Sequence, residues 1–71
     1  MTLRLDLHFA TIDIVDYDIL STEVRNHLKF CARRCDCTIN EHGTVSGLIN
    51  LYSAFIYMIS TAYDVYIRKG V

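Results

Sequence analysis

Residues 43–63 read GTVSGLINLYSAFIYMISTAY, and the fold of this 71-residue chain turns on how they are read. They form 21 consecutive positions without a formal charge, enough to cross a bilayer. Arg68 and Lys69 follow, where a cytoplasmic flank would carry them. Polar residues are nevertheless spaced through the stretch. Ser46, Asn50, Ser53, Tyr57, Ser60, Asp64 and Arg68 recur every three or four positions, drawing one polar stripe down one face of a helix. A water-washed helix needs such a stripe and a lipid-facing helix does not. The spacing therefore predicts a long helix from Thr44 or Ser46 to about Lys69, with a single membrane span as the lesser alternative.

Beside the stripe that helix is apolar almost all round. Leu48, Leu51, Phe55, Met58, Ala62 and Val65 mark one flank, and Ile49, Tyr52, Ile56, Ile59, Tyr63 and Tyr66 mark another. One flank is expected to pack on the chain's own sheet. The second, with tyrosines whose rings are apolar and whose tips are polar, is expected to form an interface between subunits. Composition points the same way. The chain is 52% apolar and 21% charged, which excludes disorder and exceeds what one small core can hide. A homo-oligomer is the expectation, most simply a dimer.

Upstream, residues 2–9 alternate: Leu3, Leu5, Leu7 and Phe9 on one side, Thr2, Arg4, Asp6 and His8 on the other. Period two over eight residues is a half-buried strand. Residues 10–20 are open between a bulged strand, which their β-branched and aromatic residues favour, and a helix beginning near Thr11. No Asn-Gly or Gly-Gly turn marks a hairpin with residues 2–9. Residues 22–34 read as a helix with Ser21 as N-cap, Glu23 in the first turn and Arg33 and Arg34 in the last. Val24, Leu28 and Cys31 form its apolar seam. Cys35, Cys37 and Ile39 then alternate with polar neighbours as a short strand, and Asn40–Gly43 is a turn. The expected architecture is α+β over one domain, residues 1–71. It has a small antiparallel sheet of two or three strands and two helices on one face, the longer one C-terminal.

Charge is segregated along the chain. Residues 1–24 carry one basic and five acidic side chains, a sum of −4; residues 25–34 carry Arg25, Lys29, Arg33 and Arg34 with no acid, a sum of +4. Arg25, Lys29 and Arg33 stand at i, i+4 and i+8, a single ridge, and Phe30 lies about 60° beyond Arg33. A basic ridge edged by an aromatic suits an acidic protein surface or a phosphate-bearing ligand. The plainer reading is a solvated face paired with Asp13, Asp16 or Asp18 of the same chain. Nucleic acid is a weaker expectation, because the net charge is only −1.

Other chemistry finds less footing. Cys31, Cys35, Cys37 and His42 are spaced C-x3-C-x-C-x4-H, a weak zinc candidate, and the same thiols serve as small buried apolar groups. His8, His27 and His42 lie in no catalytic motif, and Asp13, Asp16 and Asp18 lack a calcium-loop glycine. Gly43 and Gly47 are isolated, so no phosphate loop is present. We expect no enzyme and no cofactor. Three cysteines and an N-terminus alternating polar with apolar residues point to a reducing, cytoplasmic setting. The expected role is occupancy of a partner protein by a small regulator or inhibitor, of the kind phage and other compact genomes encode. An oligomer holding a nucleotide-like anion between its subunits is the alternative.

Overall fold

The computed structural model describes residues 1–70. Strand β1 (Thr2–His8) turns through Phe9 and Ala10 into antiparallel β2 (Thr11–Ile14), with Leu5 opposite Ile14 and Leu7 opposite Ile12. The two-residue connection needs no glycine because Ala10 itself adopts a left-handed conformation (φ 66°). Phe9 sits in this turn and not on the buried face of the strand, and is almost fully exposed. After Ile14 the chain leaves the sheet: Asp16 is left-handed (φ 57°) and a 3-10 turn follows over Tyr17–Ile19. The parity change after Ile14 is thus the end of a strand, and no helix begins near Thr11.

Helix α1 (Thr22–Arg34) has the bounds its sequence signals. The Ser21 hydroxyl accepts from Val24 N at 3.3 Å. At the other end Cys37 N donates to Ala32 O (2.8 Å) and Asp36 N to Arg33 O (3.2 Å), the Schellman arrangement, with Asp36 in the left-handed position (φ 55°) that glycine usually fills. That reversal sends the chain back beside the helix as β3 (Thr38–Ile39), which pairs with β4 (Thr44–Ser46) across the Asn40–Gly43 turn. The Asn40 carboxamide oxygen holds the turn by accepting from His42 N and Thr44 N.

The long C-terminal helix does not form. Thr44–Ser46 is a strand, a 3-10 turn covers Ile49–Leu51, and helix α2 spans only Tyr52–Ser60. At nine residues against thirteen it is the shorter helix. Its last turn is closed by its own hydroxyls: Ser60 Oγ donates to Tyr57 O (2.9 Å) and Thr61 Oγ1 to Met58 O (2.7 Å). Beyond it, Asp64–Lys69 is strand β5, where Val65 and Ile67 alternate with polar neighbours. No helix of the described residues is long and apolar enough to cross a membrane.

The sheet therefore has five strands, ordered β3-β4-β2-β1-β5, and is mixed: β5 runs parallel to β1, reached by a crossover through α2. Leu3, Leu5, Ile12, Ile14 and Val45 from its inner face meet Leu28, Cys31 and Ala32 of α1 and Tyr52, Phe55 and Ile59 of α2 in one core. Both helices cover this face. The other face carries Arg4, Asp6, His8, Asp13 and Thr44, each exposed or half-buried.

Candidate functional site: the basic face of helix α1

The seam of α1 that enters the core leaves its opposite side to solvent. Lys29, Phe30, Arg33 and Arg34 are exposed and Arg25 is half-buried. Arg34 lies over the Phe30 ring, its guanidinium carbon 5.7 Å from the centroid, so the aromatic edge of the ridge holds a cation in place. Arg25 reaches only the Thr22 hydroxyl, at 3.5 Å. Among the described residues no Lys or Arg is ion-paired with an Asp or Glu.

This corrects the self-neutralised reading of the ridge. Asp13 is engaged elsewhere, 3.6 Å from His8 Nε2 and accepting from Thr44 Oγ1 at 2.8 Å, while Asp16 and Asp18 face solvent on the turn before α1. Among the described residues no carboxylate pairs with a cation of the ridge. Below it, the Schellman reversal creates a shallow cleft of about 230 Å3, with Lys29, Ala32 and Arg33 as one wall and Cys37, Thr38 and Ile39 as the other. Two unpaired cations thus border a space partly lined by an edge strand. The ridge is visible in the sequence; the cleft depends on where β3 returns.

A second polar group lies on the open face of the sheet. Asp6 and Asp13 are cross-strand partners, His8 adjoins Asp13, and Arg68 is the β5 neighbour of Asp6. A cavity of about 420 Å3 is bordered by Asp6, His8, Arg68, Lys69 and Gly70. Here the carboxylate stands between the hydroxyl of Thr44 and the imidazole, whereas activating a nucleophile requires the imidazole in the middle. The alternation of Arg4, Asp6 and His8 signals one polar face, but the pairing with Asp13 and Thr44 is long-range and has no local mark.

The cysteine pattern does not become a metal centre. Cys31, Cys35 and Cys37 are all buried, and each thiol has its own neighbour: His27 Nε2 at 3.5 Å, Met58 Sδ at 3.4 Å and Cys35 O at 3.4 Å respectively. His42 stands in the exposed turn, 3.5 Å from Glu41. No three His, Cys, Asp or Glu side chains among the described residues gather as a metal ion would require. Burial pushes the Cys31 and Cys37 thiols above their ordinary range, with Cys35 adding to both and Asp36 to Cys37. Burial also raises the Tyr17 phenol, and the charge of Arg25 opposes it. These groups hold their protons longer folded than unfolded. Their contribution is present below the unfolded pKa values and lost above them. The urea midpoint is therefore expected to fall as pH climbs past about 9. At neutral pH Cys31 and Cys37 should resist thiol reagents until the chain unfolds; rapid labelling of native protein would contradict their burial.

The flank expected at a subunit interface is divided. Tyr52 and Ile59 are in the core, with the Tyr52 hydroxyl donating to Ala10 O (3.1 Å) and Val45 O (3.3 Å). Ile56 and Tyr63 are half-buried, Tyr63 edge-on to His27 at 5.4 Å, and only Ile49 and Tyr66 are exposed. The six no longer share a face because α2 stops at Ser60. Comparison of the chain with models of protein families, with curated proteins and with solved structures finds no match.

Proposed function

We propose that this protein binds without turnover, as a regulator or inhibitor that occupies an acidic protein surface through Arg25, Lys29, Phe30, Arg33 and Arg34, and that it works as a homo-oligomer. The observation that carries the reading is the ridge itself: cations aligned on one helix face, none matched by a carboxylate of the described residues. Unmatched charge of this kind steers and orients an acidic partner. A protein surface is favoured over an enclosed nucleotide, since the cleft of about 230 Å3 is smaller than a small-molecule pocket of roughly 300–1,000 Å3.

The test replaces Arg25, Lys29 and Arg33 together by Ala and measures binding to a polyglutamate peptide at several salt concentrations. At roughly 0.5–1 kcal/mol for each exposed cation, affinity should fall about 10- to 100-fold and its salt dependence should flatten. The melting temperature should barely move, because these side chains lie outside the core. Undiminished peptide binding by a folded triple variant overturns the assignment. Binding of inorganic phosphate but not of the peptide by the wild-type chain, lost in the variant, shifts it to the small anion.

A further inference from the structure

We propose that a second copy of this chain docks on β5, pairing edge to edge and antiparallel, with Tyr66 on the twofold axis. This deepens the oligomeric part of the proposed function and does not depend on the basic face of α1.

Strand β5 ends the sheet, hydrogen-bonded to β1 on one side only. Gly70 N donates to Leu7 O, so Asp64, Tyr66, Arg68 and Gly70 turn their backbone groups toward β1. The N–H and C=O groups of Val65, Ile67 and Lys69 point outward. A six-residue edge of this kind, with no proline, is a template for another strand. Its apolar content is also uncovered: Tyr66 is 56% exposed and Ile67 38%.

Antiparallel pairing requires an outward residue opposite an outward residue, which leaves few registers. With Tyr66 on the axis, Val65 faces Ile67 of the copy and each exchanges two backbone hydrogen bonds with its partner. Asp64 then faces Arg68 of the copy, twice over. The tyrosines meet at a position where no backbone bond separates the strands and side chains approach most closely. All three side chains lie on the open face of the sheet, because their β1 partners are Thr2, Arg4 and Asp6. Moving the axis to Ile67 sets Arg68 against Tyr66 and Lys69 against Val65, and moving it to Val65 sets Asp64 against Tyr66 and shortens the overlap. Only the Tyr66 register matches acid with base, so the charge order of β5 selects both the partner and the alignment.

The experiment measures mass by sedimentation and amide exchange residue by residue, on the full chain. Wild type should weigh twice the 8.2 kDa of one chain. The Val65 and Ile67 amides should lose protection on dilution, while Tyr66 and Arg68 keep theirs. Ile67→Pro removes one outward N–H at a position where an edge strand tolerates it, and should give a folded monomer. Asp64→Arg and Arg68→Asp should each give monomers, and an equimolar mixture should return the dimer, because each new charge then faces its opposite. Arg68→Asp also faces Asp6 of its own β1, so its melting curve is recorded first. A dimer that persists in Ile67→Pro, or a mixture that stays monomeric, overturns the β5 assignment and leaves association to another surface. A monomeric wild type overturns both this inference and the oligomeric part of the proposed function.

Discussion

Gly43→Ala is expected to remove about 2–5 kcal/mol of stability, from the strain of a left-handed Ala and the overpacking it forces. Gly43 has φ +88°, and a Cβ there would lie 2.4 Å from Tyr17 Cβ and 3.0 Å from Ile14 O. Neither neighbour is a flexible side-chain end. Tyr17 is buried, and Gly43 O accepts from Ile14 N at 2.9 Å, a bond that ties the turn to β2. A chain of 71 residues has roughly 4–11 kcal/mol to lose, so the change takes about a fifth of it or more. The consequence reaches the basic face, because the Asn40–Gly43 turn joins β4 to β3, and β3 is one wall of the cleft. Urea denaturation of the variant is the measurement. Gly47→Ala is the comparison: its Cβ would press on Cys37 Sγ at 2.9 Å, but without positive φ, so it should cost less. Equal midpoints for Gly43→Ala and wild type would show that the turn is not wedged against Tyr17.

Local signals were readable where one residue carries one instruction. Ser21 caps, Leu28 and Cys31 of the expected seam enter the core while Val24 is only partly buried against it, Arg33 and Arg34 sit in the last turn, and α1 begins and ends accordingly. The alternation of Leu3 and Leu5 with Thr2 and Arg4 is β1. The ridge followed directly from those bounds. Residues 44–69 were misread because an almost uniformly apolar stretch satisfies a period of 3.6 by chance. The stripe from Ser46 to Arg68 borrows residues from a strand, a helix and another strand. The alternation of Val65 and Ile67 was present but absorbed into that stripe. What decides the matter is non-local: β5 finds β1 some sixty residues upstream and pairs with it along six residues, Asp64 through Lys69. Local propensity carries no mark of such a partner. The cleft was hidden for a similar reason, since it needs Asp36 in a conformation that sequence ordinarily reserves for glycine.

Phe55→Ala should have the largest effect of any single truncation and should separate the two readings of α2. Phe55 is the largest of the fully buried side chains, and its helix has only Tyr52 and Ile59 beside it in the core. Removing a buried Phe costs about 3–5 kcal/mol, part for lost transfer and part for the cavity left behind. In a domain of this size that lowers the melting temperature by about 12 °C or more, and a chain near the lower end of typical stability does not fold. Collapse would not relieve the loss easily: Leu3, Leu5 and Leu28 around the same core already sit on fixed elements, β1 and α1. Ile59→Ala should follow the same pattern at about 2–5 kcal/mol. Had α2 been part of a long helix with Ile59 on a subunit interface, the same change would act on association, leaving a stable chain of half the mass. The two results differ in kind, since one appears in the urea midpoint at every protein concentration and the other in mass alone. A loss of stability without a concentration-dependent change in mass places α2 inside the protomer and leaves the exposed edge of β5 as the surface for a second copy. Unchanged stability with altered mass would return α2 to the interface and remove the core on which this fold rests.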